Sequence, residues 1–271
     1  MAGRDDSLHT ARSMARHAAP VHPKKTALPR DLRIGCAGWS IASPQKPLFG
    51  DGTSMLARYA TRFDMVEINS SFYRPHQRKT YERWADSVPQ RFRFAAKVPK
   101  AITHEARLER CGDALSRFCE ECTGLGDKLG VLLVQLPPSF AFDARVVSRF
   151  FAMARRRVPD AVALVCEPRH PSWIGPHVDA LLRRYDVNVA GADPNPIADD
   201  CAPRDLTPCR YWRLHGSPRI YCSDYDDAFL TRIAALLRAS AAGASHWVVF
   251  DNTALGHAVP NAIGLSGKLG R

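Results

Sequence analysis

From residue 32 onward, short apolar runs alternate with longer stretches of mixed character. The runs are LRIGCA (32–37), MVEIN (65–69), FRFAAKV (92–98), VLLVQL (131–136), AVALVC (161–166), VNVAG (187–191), YWRLH (211–215) and HWVVFD (246–251). Their length and aliphatic content predict strands. Between most of them lie segments with helical character, near 54–62, 80–88, 114–129, 144–157, 177–185 and 226–241. In the last of these, Phe229, Leu230, Ile233, Leu236 and Leu237 recur at helical spacing. Strand–helix alternation with aliphatic strands implies parallel pairing and right-handed crossovers. Eight strands in about 230 residues predict an α/β fold, a TIM-barrel-like (β/α)8 barrel, rather than an open sheet. The connection ADPNPIADDCAPRDLTPCR (192–210) is proline-rich and poorly helical, and NAIGLSGKLGR (261–271) offers at most a short last helix. The barrel is therefore expected to be irregular around its sixth and eighth helices.

No internal repeat and no second domain is visible. Residues 31–271 are read as one barrel domain and residues 1–30 as a flexible basic tail. The whole chain has 271 residues, enough to bury a sizeable core. No apolar run approaches the ~20 residues needed to span a bilayer. No secretory apolar segment follows the N-terminus, so a cytoplasmic location is expected.

The net charge is +11, and the tail carries six basic residues (Arg4, Arg12, Arg16, Lys24, Lys25, Arg30) against Asp5 and Asp6. That balance attracts phosphorylated ligands or nucleic acid. The plainer and favoured reading is a basic soluble protein with arginines on exposed helix faces, since no dense basic stripe interleaved with aromatics appears. Eight cysteines are scattered, and only Cys119 and Cys122 form a C-x-x-C. That pair lies in a helical pattern without a second pair at zinc-site spacing, which favours helix packing over metal binding.

Chemistry gathers where the strands end. Glu67 and Asn69 are two residues apart and share a face. If that face is the interior, both lie at the C-terminal mouth, where barrel enzymes place their sites. Other strands end similarly, in Lys97, in Gln135, in Glu167 followed by Arg169 and His170, in Asp193, in Arg213 with His215, and in Asp251 with Asn252. An unpaired buried charge costs several kcal/mol. So many polar strand ends therefore predict one shared, mutually neutralising, partly wet cluster. The plainer alternative is a structural ion pair between Glu67 and Arg213.

These residues lie in motifs that resemble the domain of unknown function 72 family, also called YecE-like. The motifs are GCAGWS (35–40), VEINSSFYRP (66–75), W-A-x-x-V-P-x-x-F-R-F-A-A-K-V-P (84–99), ITHEARL (102–108), LLVQLPPSF (132–140), EPRHPSW (167–173), WRLHG (212–216) and NTALGHAVPNA (252–262). The resemblance implies a TIM-barrel-like fold and no established reaction. It marks Gly38, Trp39, Glu67, Asn69, Ser70, Phe72, Tyr73, Lys97, Thr103, His104, Gln135, Glu167, Arg169, His170, Trp173, Arg213, His215, Gly216 and Asn252. Two departures stand out. IASPQKPLFGDG (41–52) replaces an aromatic-rich first loop, and Asp251-Asn252 replaces a common Asn-Asn.

The expected function is an enzyme, a hydrolase or lyase, acting on a small anionic, phosphate-bearing substrate by general acid–base chemistry. Glu67 and Glu167 are the candidate bases, and His215 or His170 the acid or base. Lys97, Arg169 and Arg213 supply positive charge, arginine being suited to bidentate phosphate contact. Backbone amides around Gly256 follow the eighth strand, where barrels build phosphate cradles. Trp39, Asn69, Tyr73, His104, Gln135, Trp173 and Asn252 complete the candidate substrate contacts. Redox chemistry is disfavoured because no G-x-G-x-x-G follows a strand. A divalent metal collected by Glu67, Glu167, Asp193, His215 and Asp251 is possible but not favoured, because Lys97 and Arg213 would compete with it. A glycosidase using Glu67 and Glu167 with Trp39, Tyr73 and Trp173 is weakened by the excess of arginine. The alternative class is a non-catalytic nucleic-acid or nucleotide-binding protein, in which Trp39, Phe72 and Tyr73 stack on bases. No membrane partner is expected.

Overall fold

The computed structural model describes residues 28, 29, 31–240 and 243–271, so nearly all of the N-terminal tail lies outside the described residues. Strands β1 (Asp31–Cys36), β2 (Met65–Ile68), β3 (Arg93–Lys97), β4 (Leu129–Gln135), β5 (Ala163–Glu167), β6 (Val187–Val189), β7 (Gly191–Asp193), β8 (Cys209–Leu214) and β9 (Ser245–Phe250) alternate with helices. The helices are α1 (Met55–Tyr59), α2 (Arg78–Asp86), α3 (Gly112–Cys122), α4 (Ala144–Arg155), α5 (Pro176–Arg184), α6 (Asp227–Ala239) and α7 (Ala258–Lys268). The strands form two parallel sheets, ordered β2-β3-β4-β5-β6 and β1-β9-β8-β7. The fold is thus α/β with parallel sheets. No helix of the described residues is long and apolar enough to cross a membrane.

Local chemistry explains the helices. Asp143 caps α4 by accepting from Arg145 N and Val146 N, and Asp226 caps α6 by accepting from Phe229 N. Helix α6 buries Leu230, Ile233, Ala234 and Leu237; of the apolar set expected there, Phe229 is half-buried and Leu236 is 41% exposed. Cys119 and Cys122 lie on the buried face of α3 as free thiols.

Two expectations need correction. The sixth strand is not one run over 187–191 but two short strands, β6 pairing with β5 and β7 with β8. Asn188 explains the break. Its Oδ1 accepts from Val189 N at 2.9 Å and its Nδ2 donates to the Cys209 carbonyl, so a side chain stands in for ladder bonds. The last helix is not short either: α7 runs 11 residues despite Gly264 and Gly267. It buries Ala258, Val259, Ala262 and Leu265, and a Cβ on Gly264 would lie 3.1 Å from Leu230 Cδ1. Close packing on α6 overrides poor propensity there. The irregular sixth crossover is present, with no helix among 194–208. That segment packs directly on β7: a Cβ on Gly191 would overlap the Cys201 carbonyl oxygen.

Between the sheets lies an apolar cluster drawn from both. One sheet supplies Met65, Ala95, Val131, Leu133 and Val165; the other, with Ala190, supplies Cys209, Tyr211, Trp247 and Val249. Gly130 leaves room for the Trp247 indole, which would come within 2.5 Å of a Cβ there. Two residues further along six of these strands, the same face carries Glu67, Lys97, Gln135, Glu167, Arg213 and Asp251. The period of the strand thus lays a charged layer on an apolar one.

Candidate active site

Arg213 is the centre of the charged layer. It is 0% exposed and donates to three carboxylates. Its Nε and Nη2 reach Glu67 at 3.0 and 2.8 Å, its Nη1 reaches Glu167 Oε2 at 2.7 Å, and its Nη2 reaches Asp251 Oδ2 at 2.8 Å. Tyr211, one pleat below, donates its hydroxyl to Glu67 Oε2 at 2.8 Å. Glu67 therefore accepts three bonds, with both oxygens engaged. Glu167 Oε1 accepts from Arg169 Nη2 at 2.8 Å and Arg169 Nε at 3.1 Å, with Gln135 Nε2 at 3.3 Å.

His215 lies between two carboxylates. Its Nδ1 is 3.0 Å from Asp251 Oδ2 and its Nε2 is 3.2 Å from Glu167 Oε1. Carboxylates only accept, so both nitrogens are satisfied when both carry protons. Burial and the Arg213 charge oppose that imidazolium, yet Glu167 and Asp251 outweigh them and its pKa is raised. Burial likewise opposes ionisation of Glu167, but Arg213, His215 and Arg169 hold its carboxyl well below the usual range. The Asp251 carboxyl is lowered too, Arg213 and His215 overcoming its burial. Arg213 is held protonated despite burial by Glu67, Glu167 and Asp251.

The charges balance without Lys97. Three carboxylates face two guanidiniums and one imidazolium. Lys97 is only 4% exposed, and among the described residues its ammonium has no carboxylate partner. It rests instead 4.0 Å from the centroid of the Phe72 ring. Burial and Arg213 push its pKa down to about 8, with Glu67, Glu167 and Asp251 pulling the other way. His104, beside the same Phe72 ring at 5.0 Å, is lowered by burial and by the Lys97 and Arg169 charges. The rim thus holds surplus positive charge above a neutral floor. Arg213 occupies the point where the carboxylates converge, so a divalent metal does not fit there.

The structure brings Glu67, Lys97, Gln135, Glu167, Arg169, Arg213 and His215 together, with His104 beside them. Other candidates sit elsewhere. Trp173 is 0% exposed, and its indole N–H donates to the Phe140 carbonyl at 3.0 Å, a core position. Asn252 turns to the outer layer, its Nδ2 donating to Ser223 O at 3.0 Å and Asn261 Oδ1 at 2.7 Å. His170 accepts from Ser172 N in a local cap. Trp39 packs edge-on against Trp84 at 5.1 Å. Tyr73 is 68% exposed, and Asn69 begins the short turn Ser70–Phe72 with its Oδ1 buried and, among the described residues, unpartnered. Asp193 accepts from the Tyr225 hydroxyl at 2.9 Å and stays outside the cluster.

Two participants were absent from the candidate set. Asp251, expected among the paired strand-end charges but not as a site residue, follows Val249 on the inward face and joins the cluster. Tyr211 precedes Arg213 by two residues, so the same spacing signals it. A cavity of about 470 Å³ opens beyond the ends of β1 and β9, lined by Ala37, Gly38, Ser40, Gln45, Thr253 and Gly256 among others and by no residue of the charged layer.

Comparison with known proteins follows the same lines. The chain aligns at 33% identity over 89 residues with UPF0759 protein YecE of Escherichia coli (strain K12), covering 33% of each chain. It aligns at 26% identity over 151 residues with UPF0759 protein YunF of Bacillus subtilis (strain 168), 54% of this chain and 53% of that one. The matches thus span between a third and about half of these curated relatives. Among solved structures, a DUF72 family protein from Thermotoga maritima MSB8 superposes with a TM-score of 0.73 at 20% identity, covering 89% of this chain and 100% of that one. A DUF72 family protein from Enterococcus faecalis V583 gives 0.72 at 21% identity, covering 89% and 98%. The family described as "Protein of unknown function DUF72" matches residues 33–271, and the chain belongs to that family.

Proposed function

We propose that the protein is an enzyme that binds a small anionic, phosphate-bearing substrate at the rim of the charged layer and performs general acid–base chemistry there, as a hydrolase or lyase. The observation that carries this is Lys97, a buried cation left over after every nearby carboxylate is taken. A surplus cation beside Arg169 and His104 is a receptor for an anion. The two sheets then act as one TIM-barrel-like wall. In support, Ala37 bridges Glu67 from β1 to β2, and Ala190 N donates to Cys166 O where β6 passes into β7.

Glu67 and Glu167 were the expected bases, and their engaged oxygens suit them better to a fixed electrostatic frame. His215, doubly protonated, suits an acid. Proton exchange near neutral pH falls to Lys97 and His104. Non-catalytic nucleotide or nucleic-acid binding is supported by one feature, exposed Tyr73 in a groove with Arg74 and Arg117, where Lys100 is paired with Glu105 and Glu121 adds a negative charge.

Thermal-shift titration with phosphorylated small molecules and with single-stranded DNA separates the two. Stabilisation by a phosphorylated compound that disappears in Lys97→Met is the expected result. Only salt-steep DNA binding, unchanged in Lys97→Met, would replace this reading with the second.

A further inference from the structure

We propose that Lys97 is a covalent nucleophile, forming an imine with the keto or aldehyde group of the anionic substrate. This deepens the proposed function and rests on it. Lys97 stands on the inward face at the last position of β3. Its backbone is pinned on both sides: the Ser71 hydroxyl donates to the Lys97 carbonyl at 2.6 Å, and Val98 N donates to Leu133 O at 2.9 Å. The side chain is desolvated, lies against the Phe72 ring, and faces another cation, Arg213, without a carboxylate of its own. Desolvation beside a second positive charge is one of the ways a lysine becomes a neutral amine at working pH. Its lowered pKa agrees with that geometry.

A proton carrier stands next to it. His104 lies in a π-helical turn, Ala101–Glu105, with its ring edge-on to Phe72. Its Nδ1 is 2.9 Å from Thr103 Oγ1, and that hydroxyl lies 3.2 Å from the Pro99 carbonyl. A hydroxyl has one proton. Given to Pro99 O, it leaves Oγ1 to accept from Nδ1–H, and Nε2 is then the nitrogen with the lone pair. Thr103 thereby sets the tautomer of a histidine whose neighbours Lys97 and Arg169 disfavour its protonation.

The step balances without oxidant or reductant. The neutral Lys97 amine attacks the carbonyl carbon and the C=O π pair moves to oxygen. The amine then gives up its two protons, the oxygen leaves as water carrying two, and a C=N bond remains. His104 Nε2 takes a proton from nitrogen and returns one to the departing oxygen. The substrate class is a small oxo compound bearing a carboxylate or phosphate, whose anionic end lies toward Arg169.

The test is borohydride reduction in the presence of pyruvate or dihydroxyacetone phosphate, followed by peptide mass mapping of the wild-type chain. The expected result is a reduced adduct on the peptide bearing Lys97, in excess over Lys100 and Lys128. The adduct should be absent in Lys97→Arg, and it should form about 100-fold more slowly in His104→Phe. Labelling no greater at Lys97 than at the other lysines, with either probe, overturns the proposal without relying on any variant to fold. If phosphorylated compounds still stabilise the protein through Lys97 while no adduct forms, the imine falls and the anion site stands. If neither occurs, both fall.

Discussion

Replacing Arg213 by methionine removes the one cation that three buried carboxylates share. Arg213 is 0% exposed and makes four bonds of 2.7 to 3.0 Å to Glu67, Glu167 and Asp251. Breaking a buried pair by deleting one partner costs about 3–5 kcal/mol. A second route gives the same size. A stranded carboxyl escapes its penalty by taking a proton, and moving its pKa from ~4 to ~7 costs about 4 kcal/mol at 1.36 kcal/mol per unit. Arg213→Met should therefore lose about 4 kcal/mol at pH 7, read as a fall in urea midpoint at unchanged slope. For a domain of this size that is a drop of roughly 8–16 °C in Tm.

The pH dependence tests the cause. In the wild type, Glu167 and Asp251 have pKa values below their unfolded ones. Their contribution is present above the unfolded pKa of ~4 and is lost as pH falls through the folded values. In the variant, burial without Arg213 raises the same carboxyls above their unfolded values. Their penalty is then largest at neutral pH and shrinks as pH falls toward ~4. The gap between variant and wild type should accordingly narrow from pH 7 to pH 5. A gap below about 1 kcal/mol at pH 7, or one that widens on acidification, refutes Arg213 as the counter-charge of a buried cluster.

Lys97→Met should raise stability at pH 7 by about 1–3 kcal/mol, because the folded chain holds this proton less tightly than the unfolded one. The sign follows from a folded pKa of about 8 below a reference of 10.5: wild-type stability gains from this group as pH rises through that window. The variant lacks the gain, and urea midpoints at pH 7 and pH 10 check both statements. Gly191→Ala should cost about 1–3 kcal/mol, since a Cβ there overlaps the Cys201 carbonyl oxygen; calorimetry reads the loss. An unchanged Tm would mean that 200–204 does not press on β7.

The strand period makes the charged layer legible in the sequence itself. Met65 and Glu67, Ala95 and Lys97, and Tyr211 and Arg213 are pairs two residues apart, so an apolar floor and an ionic layer follow from spacing alone. The period persists one residue past β8 and β9, which places His215 and Asp251, but not past β2, where Asn69 enters a short turn. His170, Trp173 and Asn252 lie two or more residues beyond their strands, where no rule assigns a face. Trp173 fell into the core and Asn252 into the outer layer for that reason. The Glu67–Arg213 pair is the ion pair the sequence suggests, whereas the added bond from Tyr211, 144 residues away, is marked by neither residue's neighbours. The break in the sixth strand depends on one side chain, Asn188, competing with its own backbone, and an apolar run does not register that competition.

The arrangement is hard to explain as a stability device. A buried ion cluster does no better on average than well-packed apolar residues of similar volume. The layer beneath it, from Met65 to Val249, shows that this interior accepts such residues. What the cluster supplies instead is a fixed potential that needs no reorganisation when a charge arrives. Arg213 repels the Lys97 proton, while Glu67, Glu167 and Asp251 attract it. Each of those carboxylates is turned toward Arg213, so the amine sees their charge without a bond to any of them. The same network that closes Arg213 off from a ligand thus leaves Lys97 unclaimed at the rim. Locking one cation at the centre is what keeps the other free to react.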